Sequence, residues 1–171
     1  IDADKIEGLA RGEAPIYEPG LKELIDRNRS EGRLEFTTKV GDAIPGRDVV
    51  FICVGTPQKH SGKAELTYVF QAAEAVVKEI DHFTVIVDKS TVPVGTARRL
   101  TRTLAEVTEQ EFEVISNPEF LREGAAIKDF QNPDRIVIGT ESERAKEIIA
   151  RLYSSYARIN RPILYMSCET A

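Results

Sequence analysis

The chain has 171 residues, of which 42% are hydrophobic and 30% charged, a balance that fills the core of one globular domain. Its 23 basic residues against 28 acidic ones leave a net charge of −5, which argues against a non-specific grip on nucleic acid. The longest apolar run, Val49 to Val54, is far short of the roughly 20 residues of a membrane span. Residues 1–5 carry charge at once, with no apolar signal core, and two cysteines are too few for a disulfide scaffold. A cytoplasmic protein is expected, with neither nucleic acid nor membrane as partner.

The chain opens without Met and without an obvious first strand, so it reads as a piece of a longer protein. Helices are expected over 3–10 and 20–29, the second entered through the rigid loop Pro15-Ile16-Tyr17-Glu18-Pro19-Gly20. A strand is expected over 34–37. The run 48–54 predicts a strand buried on both faces, with Cys53 as a core residue. Over 67–80, Val69, Phe70, Ala73, Val76, Val77 and Ile80 recur at helical spacing and form one apolar stripe. A strand at 84–88 precedes a helix over 96–107 with Leu100, Leu104 and Val107 on one face. Strands at 113–116 and 135–138 follow. A helix over 142–153 then aligns Ala145, Ile148, Ile149 and Leu152, and a strand at 162–166 comes last.

Strands alternating with helices predict an α/β fold, a doubly wound and mostly parallel sheet covered on both faces. No break in composition marks a linker, so 1–171 reads as one domain. Function in such folds gathers at the C-terminal ends of the strands, which directs attention to the loops 55–64, 89–96 and 117–124.

Val54-Gly55-Thr56-Pro57 closes a strand with a residue that lets a ligand approach the backbone and one that offers a hydroxyl; a plain strand-ending turn would look the same. Lys89-Ser90-Thr91-Val92-Pro93-Val94-Gly95-Thr96 runs from a strand into a helix beginning near Pro93 to Thr96. Thr91 could bond a ligand or a water, or the hydroxyls could simply cap the helix. In Asn117-Pro118-Glu119-Phe120-Leu121-Arg122-Glu123-Gly124, a helical turn starting at Pro118 would put Glu119 and Glu123 on one side at i and i+4. Paired carboxylates can split their pKa values and serve as acid and base, with Arg122 as a cation for a phosphate; a solvated helix face is the plain alternative. His60 and His82 stand singly, without metal-ligand spacing, so no metal is expected. No G-x-G-x-x-G occurs.

Five segments resemble the N-terminal NAD-binding domain of the UDP-glucose/GDP-mannose dehydrogenase family. They are Gly12-Glu13-Ala14-Pro15-Ile16-Tyr17-Glu18-Pro19-Gly20-Leu21, Val54-Gly55-Thr56-Pro57, Lys89 to Thr96, Asn117 to Gly124, and Asn132-Pro133-Asp134-Arg135-Ile136-Val137-Ile138-Gly139. They stand in the family's order and spacing and cover nearly the whole chain. Pro-Asp-Arg-Ile-Val-Ile-Gly and Ser-Thr-Val-Pro-Val-Gly-Thr look more like the branch that oxidises UDP-glucose than those acting on GDP-mannose or UDP-N-acetylmannosamine.

The resemblance implies a Rossmann-like sheet incomplete at its N-terminus, and an enzyme that oxidises a sugar C6 alcohol to a carboxylate with two NAD+. A cysteine in a C-terminal domain carries that family's thioester. By position, Lys5 matches a basic residue on the adenosine side of NAD. Thr56 and Thr91 match hydroxyls beside NAD, Thr91 also helping to hold the catalytic water. Glu119 matches the acid/base of thioester hydrolysis. Glu119, Phe120, Leu121, Arg122 and Glu123 line the nucleotide-sugar site, with Glu123 also reaching the nicotinamide. The family's first strand and Gly-rich turn are expected before Ile1, and its catalytic lysine and nucleophilic cysteine after Ala171. Cys168 does not sit in the nucleophile's motif. A homodimer is expected of the intact enzyme. The other expectation is a folded nucleotide-binding piece without activity of its own.

Overall fold

The computed structural model describes residues 2–157 and 161–171. The chain divides into two compact units, Ile1–Ala43 with Phe120–Pro133, and Ile44–Glu119 with Asp134–Ala171.

The first unit is helical. Helix α1 (Ala3–Arg11) starts at Asp2, whose carboxylate accepts the Lys5 N–H at 3.0 Å, and stops at Gly12, which takes φ 87° and turns the chain. Helix α2 (Leu21–Ser30) returns beside it, with the Arg29 guanidinium on the Ala10 carbonyl. Short helices α3 (Val40–Ala43) and α6 (Ala126–Gln131) were not expected from the pattern, because neither is long enough to show a periodic stripe. The expected strand at 34–37 does not form. Leu34 and Phe36 are half-buried while Glu35 and Thr37 are exposed, the alternation of a strand, but no neighbouring strand among the described residues supplies a ladder.

The second unit is a five-stranded sheet in the order β1 (Val49–Ile52), β2 (Thr84–Asp88), β3 (Phe112–Ser116), β4 (Ile136–Gly139) and β5 (Ile163–Met166). Every adjacent pair is parallel except β3 and β4, so the sheet is the expected α/β, mostly parallel one. Helices α4 (Thr67–Val77) and α5 (Thr96–Ala105) pack on β1 and β3, burying Val69, Ala73, Leu100 and Leu104 completely. The other face buries Val85, Val87, Ile115 and Ile138 against Ala145, Ile149 and Tyr153 of helix α7 (Glu143–Tyr153). The β2 strand is buried at all five residues, as its apolar run requires. The β1 strand is different. It pairs only with β2 among the described residues, Phe51 is 37% exposed, and Cys53 lies on the surface instead of in the core. An apolar run specifies a strand, but its depth in the sheet depends on neighbours.

Strands β3 and β4 touch through a single pair, Ser116 opposite Gly139, and Gly139 also pairs with Met166 of β5. Three strands therefore end at one point. A Cβ on Gly139 would come within 2.7 Å of the Ala171 Cβ, 2.8 Å of the Cys168 Cα and 3.1 Å of the Ser116 Cβ. Backbone cannot retreat as a long side chain can, so only glycine fits. Gly139→Ala should destabilise the fold by about 1–3 kcal/mol, the usual cost of overpacking. Urea unfolding of the two forms measures it, and equal midpoints would show that the strand ends can part without cost.

Candidate functional site

The loops after β1 and β2 are stitched to one another. The Lys89 N–H donates to the Ile52 carbonyl at 3.0 Å, and the Ser90 hydroxyl to the Val54 carbonyl at 2.8 Å. Beyond them the Thr56 hydroxyl donates to the Thr91 carbonyl at 2.8 Å. The two threonines singled out by sequence thus sit side by side at the ends of neighbouring strands. Beside Thr56 the backbone is open, since a Cβ built on Gly55 would meet nothing within 4 Å.

A cleft of about 290 Å³ lies at the same end of the sheet. It is lined by residues 88–97 and 168–171 with Ser116, Pro118 and Glu119. Thr91 and Glu119 therefore share one cavity, contributed by adjacent strand ends. Helix α5 begins at its wall, where Gly95 takes φ 87°. Cys168, half-buried, donates its thiol to the Gly139 carbonyl at 2.9 Å, and burial pushes its pKa up. This is the setting of an inert, neutral thiol and not of a nucleophile.

Asp88 at the end of β2 is the feature that sequence reading missed. It is 3% exposed; one oxygen accepts the Ser90 N–H at 3.2 Å, and the other is buried without a hydrogen-bond partner. Burial raises its pKa to about 6. Burial also lowers the pKa of the neighbouring Lys89, against the opposing fields of Cys53 and Glu119. The signal was available in principle, since an acidic residue closing the run Thr84-Val85-Ile86-Val87 must go into the protein with its strand.

The expected helical turn at Pro118 is absent: residues 117–122 are irregular, so Glu119 and Glu123 are not neighbours on a helix face. The physical reason lies in the strand that precedes them. Asn117 still belongs to the β2–β3 ladder, its N–H donating to the Asp88 carbonyl at 2.9 Å, and the proline that follows disfavours helical backbone at Asn117. Glu119 belongs to the sheet unit, while Phe120, Leu121, Arg122 and Glu123 belong to the helical one. There the Arg122 guanidinium holds both oxygens of Asp129 at 2.9 and 2.7 Å, which pulls the Asp129 carboxyl down to about 2. The cation read as a phosphate partner is committed to a carboxylate. Phe120 and Leu121 are exposed at 54% and 38%, and Glu123 is exposed in the turn before α6. That turn is held by Glu18, a buried carboxylate accepting the Gly124 N–H at 2.9 Å. Glu18 explains its loop, which the sequence presents only as a rigid entry to α2. Lys5 lies exposed on the first turns of α1.

A mostly parallel sheet with helices on both faces and hydroxyl-bearing loops at its strand ends defines an α/β nucleotide-binding domain. The chain belongs to the UDP-glucose/GDP-mannose dehydrogenase family, whose NAD binding domain model matches residues 1–157. It is 44% identical over 99% of its length to UDP-glucose 6-dehydrogenase of Rhizobium meliloti and 42% identical over its whole length to UDP-glucose 6-dehydrogenase TuaD of Bacillus subtilis. It spans 40% and 37% of those proteins. Among solved structures, a UDP-glucose dehydrogenase from Pyrobaculum islandicum superposes with a TM-score of 0.93 at 41% identity, over 99% of this chain and 40% of that one. A GDP-mannose dehydrogenase from Pseudomonas aeruginosa gives 0.92 at 32% identity, with the same coverage of each chain.

The cofactor of the family is NAD, and the residues at hand suit part of it. The paired Thr56 and Thr91 bring two hydroxyls together, and the backbone at Gly55 is open, as a bound nucleotide requires. The Gly-rich cradle that binds a pyrophosphate has no counterpart in the 171 residues.

Asp88 makes stability depend on pH. Its folded-state pKa of about 6 lies above the ordinary 3.8. The protonated form is therefore favoured by folding, and its contribution is complete below about pH 4 and lost as pH rises through 6. The loss is on the order of 2–3 kcal/mol at neutral pH. Asp88→Asn should flatten this part of the stability–pH curve between pH 4 and 7. Parallel curves for the two proteins would show that Asp88 titrates normally.

Proposed function

We propose that this chain is the NAD-binding part of a UDP-glucose 6-dehydrogenase, which oxidises UDP-glucose to UDP-glucuronate. The observation that carries the reading is the shared cleft, with Thr91 at the end of β2 and Glu119 beyond the end of β3 lining one cavity beside Thr56. The relatives of highest identity above carry the UDP-glucose name, whereas the GDP-mannose enzyme stands at 32%.

NAD+ supplies the hydride acceptor for each of the two oxidations. The chain's own residues bind, orient and move protons. Thr56 and Thr91 hold the cofactor's nicotinamide side through their hydroxyls. Thr91 also hydrogen-bonds the attacking water. Glu119 accepts that water's proton as its oxygen bonds to the acyl carbon, and returns the proton to the leaving sulfur. Matching the family's motifs residue by residue, Lys5 and Glu123 serve the cofactor, and Glu119, Phe120, Leu121 and Glu123 serve the nucleotide sugar.

In the complete polypeptide, Glu119→Gln should slow hydrolysis by about 10²-fold, the share of a general base, and leave the first hydride transfer within a few-fold. Single-turnover NADH formation separates the two steps. Unchanged rates for both would remove Glu119 from the mechanism. The 171-residue chain alone should form no NADH from UDP-glucose, because half of the cofactor cradle and the covalent nucleophile lie outside the proposed roles of its residues. NADH production by it would overturn that division. Assays with UDP-glucose, GDP-mannose and UDP-N-acetylmannosamine decide the sugar.

A further inference from the structure

Asn117 is buried, 2% exposed, and three elements hold it. Its side-chain amide donates to the Val137 carbonyl of β4 at 2.9 Å. Its side-chain oxygen accepts the hydroxyl of Tyr153, at the end of α7, at 2.7 Å. Its main-chain N–H donates to the Asp88 carbonyl of β2. Only one amide orientation satisfies both side-chain bonds, because the Val137 carbonyl can only accept. The Val137 carbonyl is reached across the gap where β3 and β4 share a single ladder pair, so the Asn117 side chain takes the place of the missing rung. Tyr153 is 5% exposed, and burial pushes its pKa up to about 12, so it remains a neutral donor at any working pH.

The direction in which the chain leaves this clamp is strongly limited. Pro118 fixes its own φ and confines Asn117 to extended backbone. One residue later stands Glu119, on the wall of the cleft. We propose that Asn117 and Tyr153 are positioning residues for the Glu119 carboxylate, holding it against the Thr91 side of the cleft through the fixed exit of the chain from β3. The proposal rests on the reading of Glu119 as the acid/base group. The residues act through Glu119 and touch neither substrate nor cofactor.

The test is a double-mutant cycle in the complete polypeptide, with Tyr153→Phe, Glu119→Gln and their combination, and Asn117→Asp as a second route to the same clamp. Tyr153→Phe removes one buried hydrogen bond, a modest stability loss that Ile149→Val, in the same core but making no hydrogen bond to Asn117, is chosen to match. We expect Tyr153→Phe and Asn117→Asp to lower the hydrolysis rate at least fivefold with KM for NAD+ and the sugar within twofold. Ile149→Val should leave the rate unchanged. In the Glu119→Gln background, Tyr153→Phe should cost nothing further. Losses that multiply, or an equal loss in Ile149→Val, would overturn the positioning role while leaving Glu119 in place. Full activity of Glu119→Gln would instead overturn the acid/base reading itself.

Discussion

The close approach of three strand ends at Gly139 is the constraint on which the cleft depends. Ser116, Gly139 and Met166 meet there, and the following turn brings Cys168 and Ala171 to within contact of the same glycine. Because no side chain intervenes, residues 168–171 can close one wall of the cleft while β2 and β3 form the other. A sheet whose β3 and β4 paired along their whole length would need no such convergence. Here the two antiparallel strands share one rung, and Asn117 supplies a further link from its side chain. Packing and polar satisfaction thus converge on a few residues beside the proposed chemistry.

The electrostatics of the cleft follow from the same burial. Asp88 sits at the end of a strand with no exposed residue, so its carboxyl enters the protein with the strand and one oxygen finds no donor. A charged carboxylate there is disfavoured, so burial raises its pKa to about 6 and the group takes its proton in mildly acidic solution. Lys89, the next residue, alternates to the other side of the strand, toward Cys53 and Glu119. One step in sequence therefore separates a carboxyl whose charge is disfavoured by burial from an ammonium in the field of the proposed acid/base group.

Much of the architecture was legible because helix and strand periods are local. The stripe of Val69, Ala73, Val76 and Val77 is buried, as is the run from Thr84 to Asp88, and Ser142 caps α7 through the Ala145 N–H. What failed was non-local. The run 34–37 has a strand's alternation and no partner among the described residues. Cys53 lies within an apolar run yet on the surface, beside a strand that among the described residues is paired on one side only. Pro118 can begin a helix, but Asn117 before it still belongs to the ladder. In the site, Thr56, Thr91 and Glu119 could be named from their loops. Asp88 carried a signal only in its place at the close of an apolar run, and Tyr153 carried none, since it acts through Asn117, a partner distant in sequence.

The sequence by itself determined the order of the five sheet strands and of the longer helices, the loops that carry the hydroxyls and carboxylates, and the family motifs, because all of these are short-range patterns of residue type. Only the tertiary structure decided that Thr91 and Glu119 open on one cleft, that Arg122 is taken up by Asp129, and that Asn117 bridges two diverging strands. Those facts depend on distances between residues far apart in the chain, which are set when the sheet closes and most of its buried polar groups find partners.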